Sequence, residues 1–416
     1  MNTILQAADG LEIAYQYNPN VRSVCWGVFV HVGSVDETEA TSGISHLIEH
    51  MCFKGTTTRT AYDIVRESDD LGANLNAFTS KEQTAFYVQC VDDVVEPAVA
   101  ILADIVLHST FDPDELVREK EVVCEEIDMS EDTPDDLASD VAAAAFWGED
   151  SLSRPILGTK ANVQGFSQQD LLDHVRRYYV RDNVVLSVVG NISAEEVCRL
   201  ADRYFVFPTG EVPARNLPMP RATRQLYRQK DVEQCNVILC YDGLPRGDDD
   251  AYALLVLDAV LGGGMSSILF QRVREQQGLA YSVYSYGSSY EGRGAYSIYL
   301  GTNPTKLAQA LRTVADVIRE LRRDGITPEQ LERGRNQTLS AYVLGLESGL
   351  AAMRVGARRL QFEGKPLDLD AEIARLRAVD MPRIDALIER VFSTPPAVGL
   401  VARDHVDCME YFNGKQ

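Results

Sequence analysis

Two histidines and a glutamate lie within the five residues of His46–His50, which read HLIEH. In a helix, residues four apart lie one turn from each other on the same face, so both imidazole rings can reach one metal ion. Zinc accepts imidazole ligands, and Glu49 would then lie beside the metal rather than behind it. The pattern predicts a general base next to a metal-activated water, which is hydrolytic chemistry. The alternative is a surface helix with two solvated histidines.

A third metal ligand must come from elsewhere in the chain, because a catalytic zinc takes three protein ligands and leaves one position for water. A helix predicted over 113–130 is the natural donor, since Asp112 and Pro113 form a typical helix start and acids follow. Glu119 and Glu126 lie seven residues apart on one face of this helix. One of them can bind the metal, and the other can hydrogen-bond a metal ligand. Spacing does not decide among the five candidates: Glu119, Glu121, Glu125, Glu126 and Asp128.

The elements around this pair of helices are predicted from hydrophobic periodicity. Strands at 11–18 and 24–33 precede the histidine helix, which opens near Gly43 and ends near Gly55. Two strands flank a turn within 71–91. The remaining predicted elements of the first half are helices at 61–70, 92–107, 135–147 and 194–205, a helix starting at Ser167, and a strand at 184–193.

The second half of the sequence repeats the first. A strand at 237–244 precedes a helix at 250–263, and 326–347 (ITPEQLERGRN…) echoes 111–132 (FDPDELVREKE…). Strands within 281–301, a helix at 305–323, one final helix and a strand near 396–402 complete it. We predict an α+β fold of two homologous domains, each a mixed, mostly antiparallel sheet packed with helices. The predicted domains are 1–207 and 225–416, joined by a proline-containing linker at 208–224.

The duplication also allows the two halves to be compared. Aligning Pro328 with Pro113 places Ala341 opposite Glu126 and Gly334 opposite Glu119, and the second-half helix has no histidine. Residues needed only for packing would be expected in both copies. Their presence in one copy favours chemistry over structure.

Composition limits the class of protein and its partners. The chain has 416 residues and a formal net charge of −22, which argues against binding to nucleic acid or to an anionic membrane. Eight scattered cysteines without a C-x-x-C pair predict buried, reduced thiols. We find no signal peptide, transit peptide or membrane-spanning run, and therefore expect a cytoplasmic protein, in a prokaryote.

With these residues in view, the sequence resembles the M16 family of zinc metallopeptidases, in its short single-copy form. The resemblance covers nearly the whole chain, and its family pattern is H-x-x-E-H followed by a glutamate about 75 residues later, matched here by Glu126. It implies the family's metallohydrolase fold, which LuxS shares. It also implies one Zn²⁺ per chain on His46, His50 and Glu126, Glu49 as the base, and Glu119 as a supporting acid.

The resemblance implies a substrate site as well. Arg274 and Tyr281 match a family pair that contacts substrate and the developing oxyanion, and Asn76 and Ala77 match an edge strand that binds extended peptides. It further implies a homodimer that closes as a chamber, with Arg274 and Tyr281 acting in trans. The expected substrates are unfolded peptides or presequence-like segments, and the acidic charge hints at basic ones.

Two alternatives to a general peptidase follow from the same resemblance. One is a dedicated processing peptidase for a single precursor. The other is a non-catalytic M16-like subunit that serves as a scaffold or binds peptides. Such subunits lack part of the zinc motif, and this sequence lacks none of it.

Overall fold

A computed structural model describes residues 2–215 and 224–412. These residues form two compact units, and each unit is assembled from separate stretches of the chain. The first unit contains Met1–Asp128, Pro155–Arg215 and Val343–Asp368. The second contains Met129–Arg154, Asn216–Tyr342 and Leu369–Gln416.

Both halves of the chain contain strands and helices. The strands are β1 (Asn2–Gln6), β2 (Glu12–Tyr17), β3 (Ser23–Val30), β4 (Asn74–Thr79), β5 (Thr84–Val91), β6 (Val184–Gly190), β7 (Gln225–Gln229), β8 (Cys235–Asp242), β9 (Ala280–Tyr290), β10 (Arg293–Thr302) and β11 (Ala397–Ala402). The helices are α1 (Ile44–Met51), α2 (Ala61–Asp70), α3 (Val95–Leu107), α4 (Pro113–Asp132), α5 (Pro134–Trp147), α6 (Lys160–Gly165), α7 (Gln168–Tyr178), α8 (Ala194–Tyr204), α9 (Ala251–Leu261), α10 (Leu307–Asp324), α11 (Pro328–Gly345), α12 (Gly349–Glu363), α13 (Leu369–Arg377) and α14 (Met381–Phe392).

The sheet of the first unit has the described strand order β1-β2-β6-β3-β5-β4. Only the β2–β6 pairing is parallel among these neighbours. The central strand β3 reads SVCWGVFV and is buried along almost its whole length, because helices cover both faces of the sheet. On one face Trp26 and Val28 join the core shared with α1 and α3. On the other, Phe29 packs against Met353 of α12.

The sheet of the second unit has the described order β7-β11-β8-β10-β9, with a parallel β7–β11 pairing and antiparallel neighbours elsewhere. Apolar residues of α9, α10 and α14 fill its core. Helix α5 packs on β11 and β8. The predicted fold class, α+β with two mixed, mostly antiparallel sheets, is therefore confirmed.

Two helices belong to a different unit from the one that the predicted boundaries at 207 and 225 would give them. Helix α5 lies in the first half of the sequence but belongs to the second unit, and α12 lies in the second half but belongs to the first. The periodicity of a helix shows which face is apolar, but not which sheet that face will cover. Of the predicted linker, Arg215 binds Asp36 of the first unit at 2.8 Å, while 216–223 lie outside the described residues.

Other sequence predictions need smaller corrections. The single final helix predicted near the C-terminus is three helices, α12, α13 and α14, and the prediction did not include β1, α6 and β7. All eight cysteines are free thiols, of which Cys124 and Cys198 are half-buried and the rest buried. Over the described stretches, no helix combines the length and the apolar character that crossing a bilayer requires.

Candidate metal centre

Helix α1 begins at a position that only glycine suits. Gly43 has φ of 97°, and a Cβ there would lie 2.6 Å from the carbonyl oxygen of Leu157. The buried carboxylate of Glu37 accepts hydrogen bonds from the backbone N–H groups of Gly43 (2.8 Å) and Ser45 (2.9 Å). It thereby satisfies N–H groups at the start of the helix that have no partner within it. The start of α1, and with it the position of His46, is fixed from outside the helix.

The two histidines of α1 meet a glutamate of α4. The His46 and His50 rings lie one turn apart, with centroids separated by 4.5 Å. Oε2 of Glu126 lies 3.8 Å from Nε2 of His46 and 3.5 Å from Nε2 of His50. One ligand atom from each of the three residues lies within 4.8 Å of the others. The structure therefore brings together the three predicted ligands.

This donor set fits zinc. Tetrahedral zinc with ligand distances near 2.1 Å separates its ligand atoms by roughly 3.4 Å, close to the distances from Glu126. Burial, reinforced by the neighbouring His50 ring, lowers the pKa of His46 to about 3. His46 is therefore a neutral imidazole at physiological pH, which is the form that binds metals. Two imidazoles and a carboxylate are also a common catalytic zinc set.

Glu119 contacts the His50 ring at Nδ1, whereas Glu126 lies near the other ring nitrogen, Nε2. Oε1 of Glu119 lies 2.8 Å from Nδ1 of His50, and its Oε2 lies 2.6 Å from Nζ of Lys54. Burial alone would raise the pKa of Glu119, but the hydrogen bonds with His50 and Lys54 hold it below its ordinary value. Burial alone would lower the pKa of His50, but the hydrogen bond with Glu119 and the charges of Glu126, Glu119 and Glu49 together raise it above its ordinary value. With Nδ1 occupied in this way, Nε2 of His50 is the atom left to bind a metal.

The other acidic candidates on α4 do not join this group. Glu121, Glu125 and Asp128 are exposed, and Asp128 forms an ion pair with Lys160. The choice that spacing left open is made by how α4 packs, which turns Glu119 and Glu126 toward α1.

Glu49 lies next to the ligands but is held by a different residue. Its Oε2 accepts a 2.6 Å hydrogen bond from Oγ1 of Thr79, the last residue of β4. Burial raises the pKa of Glu49, and the Thr79 hydrogen bond only partly offsets it. A carboxylate with a raised pKa beside a metal site is suited to accept and return a proton.

Asn76 and Ala77 lie on β4, which forms one edge of the described sheet. They pair with Tyr87 and Phe86 of β5, and the other side of β4 has no strand beside it among the residues described. Edge strands bind extended peptides by adding a strand to the sheet. The same edge strand also carries Thr79, the residue that hydrogen-bonds Glu49.

Comparison of the sequence with known proteins identifies a family that matches most of the chain. Residues 12–160 match the family profile "Insulinase (Peptidase family M16)", and residues 165–338 match "Peptidase M16 inactive domain". The uncharacterized zinc protease YmxG of Bacillus subtilis is 42% identical over 395 residues, which are 95% of this chain and 96% of that protein. The chain belongs to peptidase family M16. Its relatives are named as zinc proteases, which supports its assignment as a zinc metallopeptidase.

Further matches agree with the M16 assignment. An uncharacterized zinc protease of Streptomyces coelicolor, SCO5738, is 35% identical over 94% of this chain and 87% of its own length. A crystal structure titled as a peptidase M16 inactive domain from Pseudomonas fluorescens superposes with a TM-score of 0.90 at 20% identity, covering 98% of this chain and 99% of that one. That likeness shows the shared M16 fold.

Arg274 and Tyr281, the predicted M16 substrate pair, lie together in the second unit. The guanidinium carbon of Arg274 is 5.4 Å from the centre of the Tyr281 ring and 4.9 Å from that of Phe270. Tyr281 is 71% exposed. Such cation–π contacts fix the guanidinium while leaving the phenol hydroxyl open to a ligand.

Sequence reasoning missed three residues around the metal cluster, Thr79, Lys54 and Glu37, and one residue beside Arg274 in the second unit, Phe270. Lys54 follows His50 by four residues, so helical spacing could have placed it on the histidine face. Thr79 lies in the edge strand that was singled out for another role. Phe270 precedes Arg274 by four residues within one helical stretch, Phe270–Glu275, so the same spacing could have placed it beside Arg274. Glu37 carried no signal, because it acts through backbone contacts that form only in the folded protein.

Proposed function

We propose that this chain is a zinc-dependent endopeptidase that hydrolyses unfolded peptides, with Glu49 as its general base. The observation that carries the proposal is the position of Glu49. Its carboxylate lies beside the cluster of His46, His50 and Glu126 and is held by Thr79 rather than committed to that cluster. A structural zinc site has no need of such a free base beside it.

Each residue has a distinct role in the proposed reaction. His46, His50 and Glu126 would hold one zinc per chain. When bound, zinc polarises the scissile carbonyl and lowers the pKa of a water molecule. Glu49 takes the proton from the attacking water and passes it to the leaving amine, and its raised pKa brings it closer to the working pH. Glu119 keeps His50 in the orientation that binding requires.

The edge strand β4 is the proposed substrate platform. A peptide that pairs with the backbone of Asn76 and Ala77 would be recognised with little dependence on its side chains. This suits an enzyme that acts on unfolded peptides, because its recognition depends on an extended backbone.

The test is the turnover of a mixed quenched-fluorescent peptide library by the zinc-loaded protein and by its Glu49→Gln variant. We expect cleavage by the parent alone, with equal zinc content in both proteins. Turnover by the Gln variant would refute Glu49 as base. Absence of cleavage by either would favour a processing peptidase for one precursor, or a non-catalytic subunit.

We also propose a homodimer in which Arg274 and Tyr281 of one chain serve the metal centre of the other. Mixing Glu49→Gln with Tyr281→Phe protein tests this, because only a mixed dimer with trans sites regains one intact site. With random exchange, half of the dimers are mixed and have one intact site of two, so activity should recover to about a quarter of the parent's. A mixture no more active than its components, or a fully active monomer, would contradict the proposal.

A further inference from the structure

The second unit repeats the hydrogen bond that holds Glu49. Asp258 on α9 accepts a 2.6 Å hydrogen bond from Oγ of Ser285 on β9. In the first unit, Glu49 on α1 accepts a hydrogen bond of the same length from Thr79 on β4. Each acid lies on the helix that precedes the hydroxyl's strand. Asp258 is therefore the structural counterpart of Glu49.

This correspondence locates the counterparts of the metal ligands. Counting back three residues and forward one from Asp258 gives Leu255 for His46 and Ala259 for His50. The repeat of α4 in α11 gives Ala341 for Glu126. These three residues and Asp258 line one cavity of about 730 Å³. The cavity has the plan of the metal centre, with each metal ligand replaced by an apolar side chain and the acid retained.

Asp258 has no cationic partner among the described residues. Its Oδ1 accepts both the Ser285 hydrogen bond and a 2.9 Å hydrogen bond from the Tyr296 hydroxyl, while Oδ2 accepts none from the residues that the structure describes. No lysine, arginine or histidine among them forms an ion pair with Asp258. Burial also raises the pKa of Asp258. Asp258 is half-buried, and a partly desolvated carboxylate without a counter-charge is stabilised when a cation binds beside it.

The lining of the cavity argues against two ligand classes, metal ions and anions. Leucine and alanine side chains cannot ligate a metal in place of His46, His50 and Glu126. An anion would be repelled by Asp258. The volume lies within the range of pockets that enclose a small ligand or a long side chain. An organic cation fits instead, because its stem can contact the apolar residues while its charged head pairs with Asp258. The polar side chains of Asn336, Gln337, Thr338 and Ser340 also line the cavity.

We propose that this cavity binds the lysine or arginine side chain of a peptide, with the charged group paired to Asp258. The choice of a peptide as the source of the cation rests on the proposed peptidase function. The chain's net charge of −22 would draw basic peptides toward it, and the cavity supplies a defined position for one basic residue. Basic peptides would then be bound at two places on the chain, the β4 edge and this cavity.

The experiment measures binding rather than cleavage, so that it stands apart from the test of catalysis. The probe is a fluorescein-labelled decapeptide of glycine, serine and one arginine, compared with the same peptide carrying citrulline, the neutral isostere of arginine. Kd is measured by fluorescence polarisation with full-length, zinc-loaded Glu49→Gln protein, which should bind without cutting. We expect the arginine peptide to bind about tenfold more tightly.

Adding Asp258→Asn should bring the ratio of the two Kd values close to one, while Glu233→Gln should leave it unchanged. Glu233 is an exposed acid of the same unit, so its variant carries the same charge change and controls for bulk electrostatics. Leu255→Trp, which fills the cavity from a residue that is 46% exposed, should also abolish the preference and does not depend on how Asp258→Asn folds. An equal affinity for both peptides, a preference that survives in both cavity variants, or an equal loss in Glu233→Gln would overturn the proposal.

Discussion

Nδ1 of His50 lies 2.8 Å from Oε1 of Glu119, a carboxylate on another helix whose side chain is only 6% exposed. This contact decides which nitrogen of His50 faces Glu126 and the proposed metal. It also makes the imidazole a stronger ligand, since a neighbouring carboxylate increases the basicity of the ring. His46 has no such support, because its buried Nδ1 has no hydrogen-bond partner among the described residues.

Glu119→Gln should therefore weaken zinc binding without abolishing it, by about 10- to 100-fold. The variant removes the charge that holds His50 and Lys54 but leaves all three ligand residues in place. Zinc affinity is measured by competition with a chromogenic chelator. Glu121→Gln, an exposed neighbour on α4, is the matched control. Equal affinities of the Glu119 variant and the parent would show that Glu119 does not support the metal.

Glu126→Gln should lose zinc outright, because an amide is a poor replacement for a carboxylate ligand and only two imidazoles would remain. The adjacent Glu125→Gln variant should keep one zinc per chain, since Glu125 is exposed and outside the ligand group. Metal content after dialysis, measured by atomic emission, separates the two. Zinc loss from the Glu125 variant instead would move the third ligand by one residue.

Rebuilding the missing ligands in the second unit should create a second metal site. The triple variant Leu255→His, Ala259→His and Ala341→Glu restores the donor set around the cavity that Asp258 lines. We expect zinc to rise from one to two per chain, with Co²⁺ giving a second set of visible absorption bands. The double histidine variant, which lacks the carboxylate, should bind the second ion more weakly. A stoichiometry that stays at one would mean that the two helices do not correspond as inferred.

Asp258 should also contribute to the pH dependence of the free energy of unfolding. Its pKa is raised in the folded protein, mainly by burial, so the folded state holds this proton more tightly than the unfolded state. The parent therefore loses stability as the pH rises from an ordinary aspartate pKa of about 4 to the raised value. Asp258→Asn has no such proton to lose. In urea unfolding, the variant's stability relative to the parent should increase across this window and then level off, whereas a constant difference would contradict the shift.

The packing of α5 on β11 can be tested by a single methyl group. A Cβ at Gly399 would lie 2.5 Å from the backbone nitrogen of Ala142, so Gly399→Ala must push the helix away from the sheet. We expect a loss of about 1–3 kcal/mol in the free energy of unfolding. Gly287→Ala on β9 is the control, because its nearest neighbour, a Leu254 methyl, lies 3.4 Å away. Equal stabilities of the two variants would argue against close packing at Gly399.

The sequence predicted which three side chains come together, His46, His50 and Glu126, better than it predicted their surroundings. His46 and His50 lie one turn apart on one helix, so local geometry is enough to pair them. The choice of Glu126 depends on the rotation of α4 against α1, which spacing does not encode. Thr79 reaches Glu49 across thirty residues of chain, and such contacts arise only after the sheet has formed. The exchange of α5 and α12 was likewise hidden, because an apolar helix face does not specify the sheet it covers.

That exchange has a consequence for how the protein is made. The first sheet is complete in sequence at β6, but the helix that covers its Phe29 face, α12, begins only at Gly349. A ribosome adds about 5–20 residues per second, so the roughly 160 residues between β6 and α12 leave this apolar face uncovered for about 8–32 s during synthesis. The nascent chain therefore exposes this apolar face until the last stretch of the first unit, Val343–Asp368, has been made. For the same reason, cutting the gene between residues 207 and 225 would separate each sheet from one of its own helices.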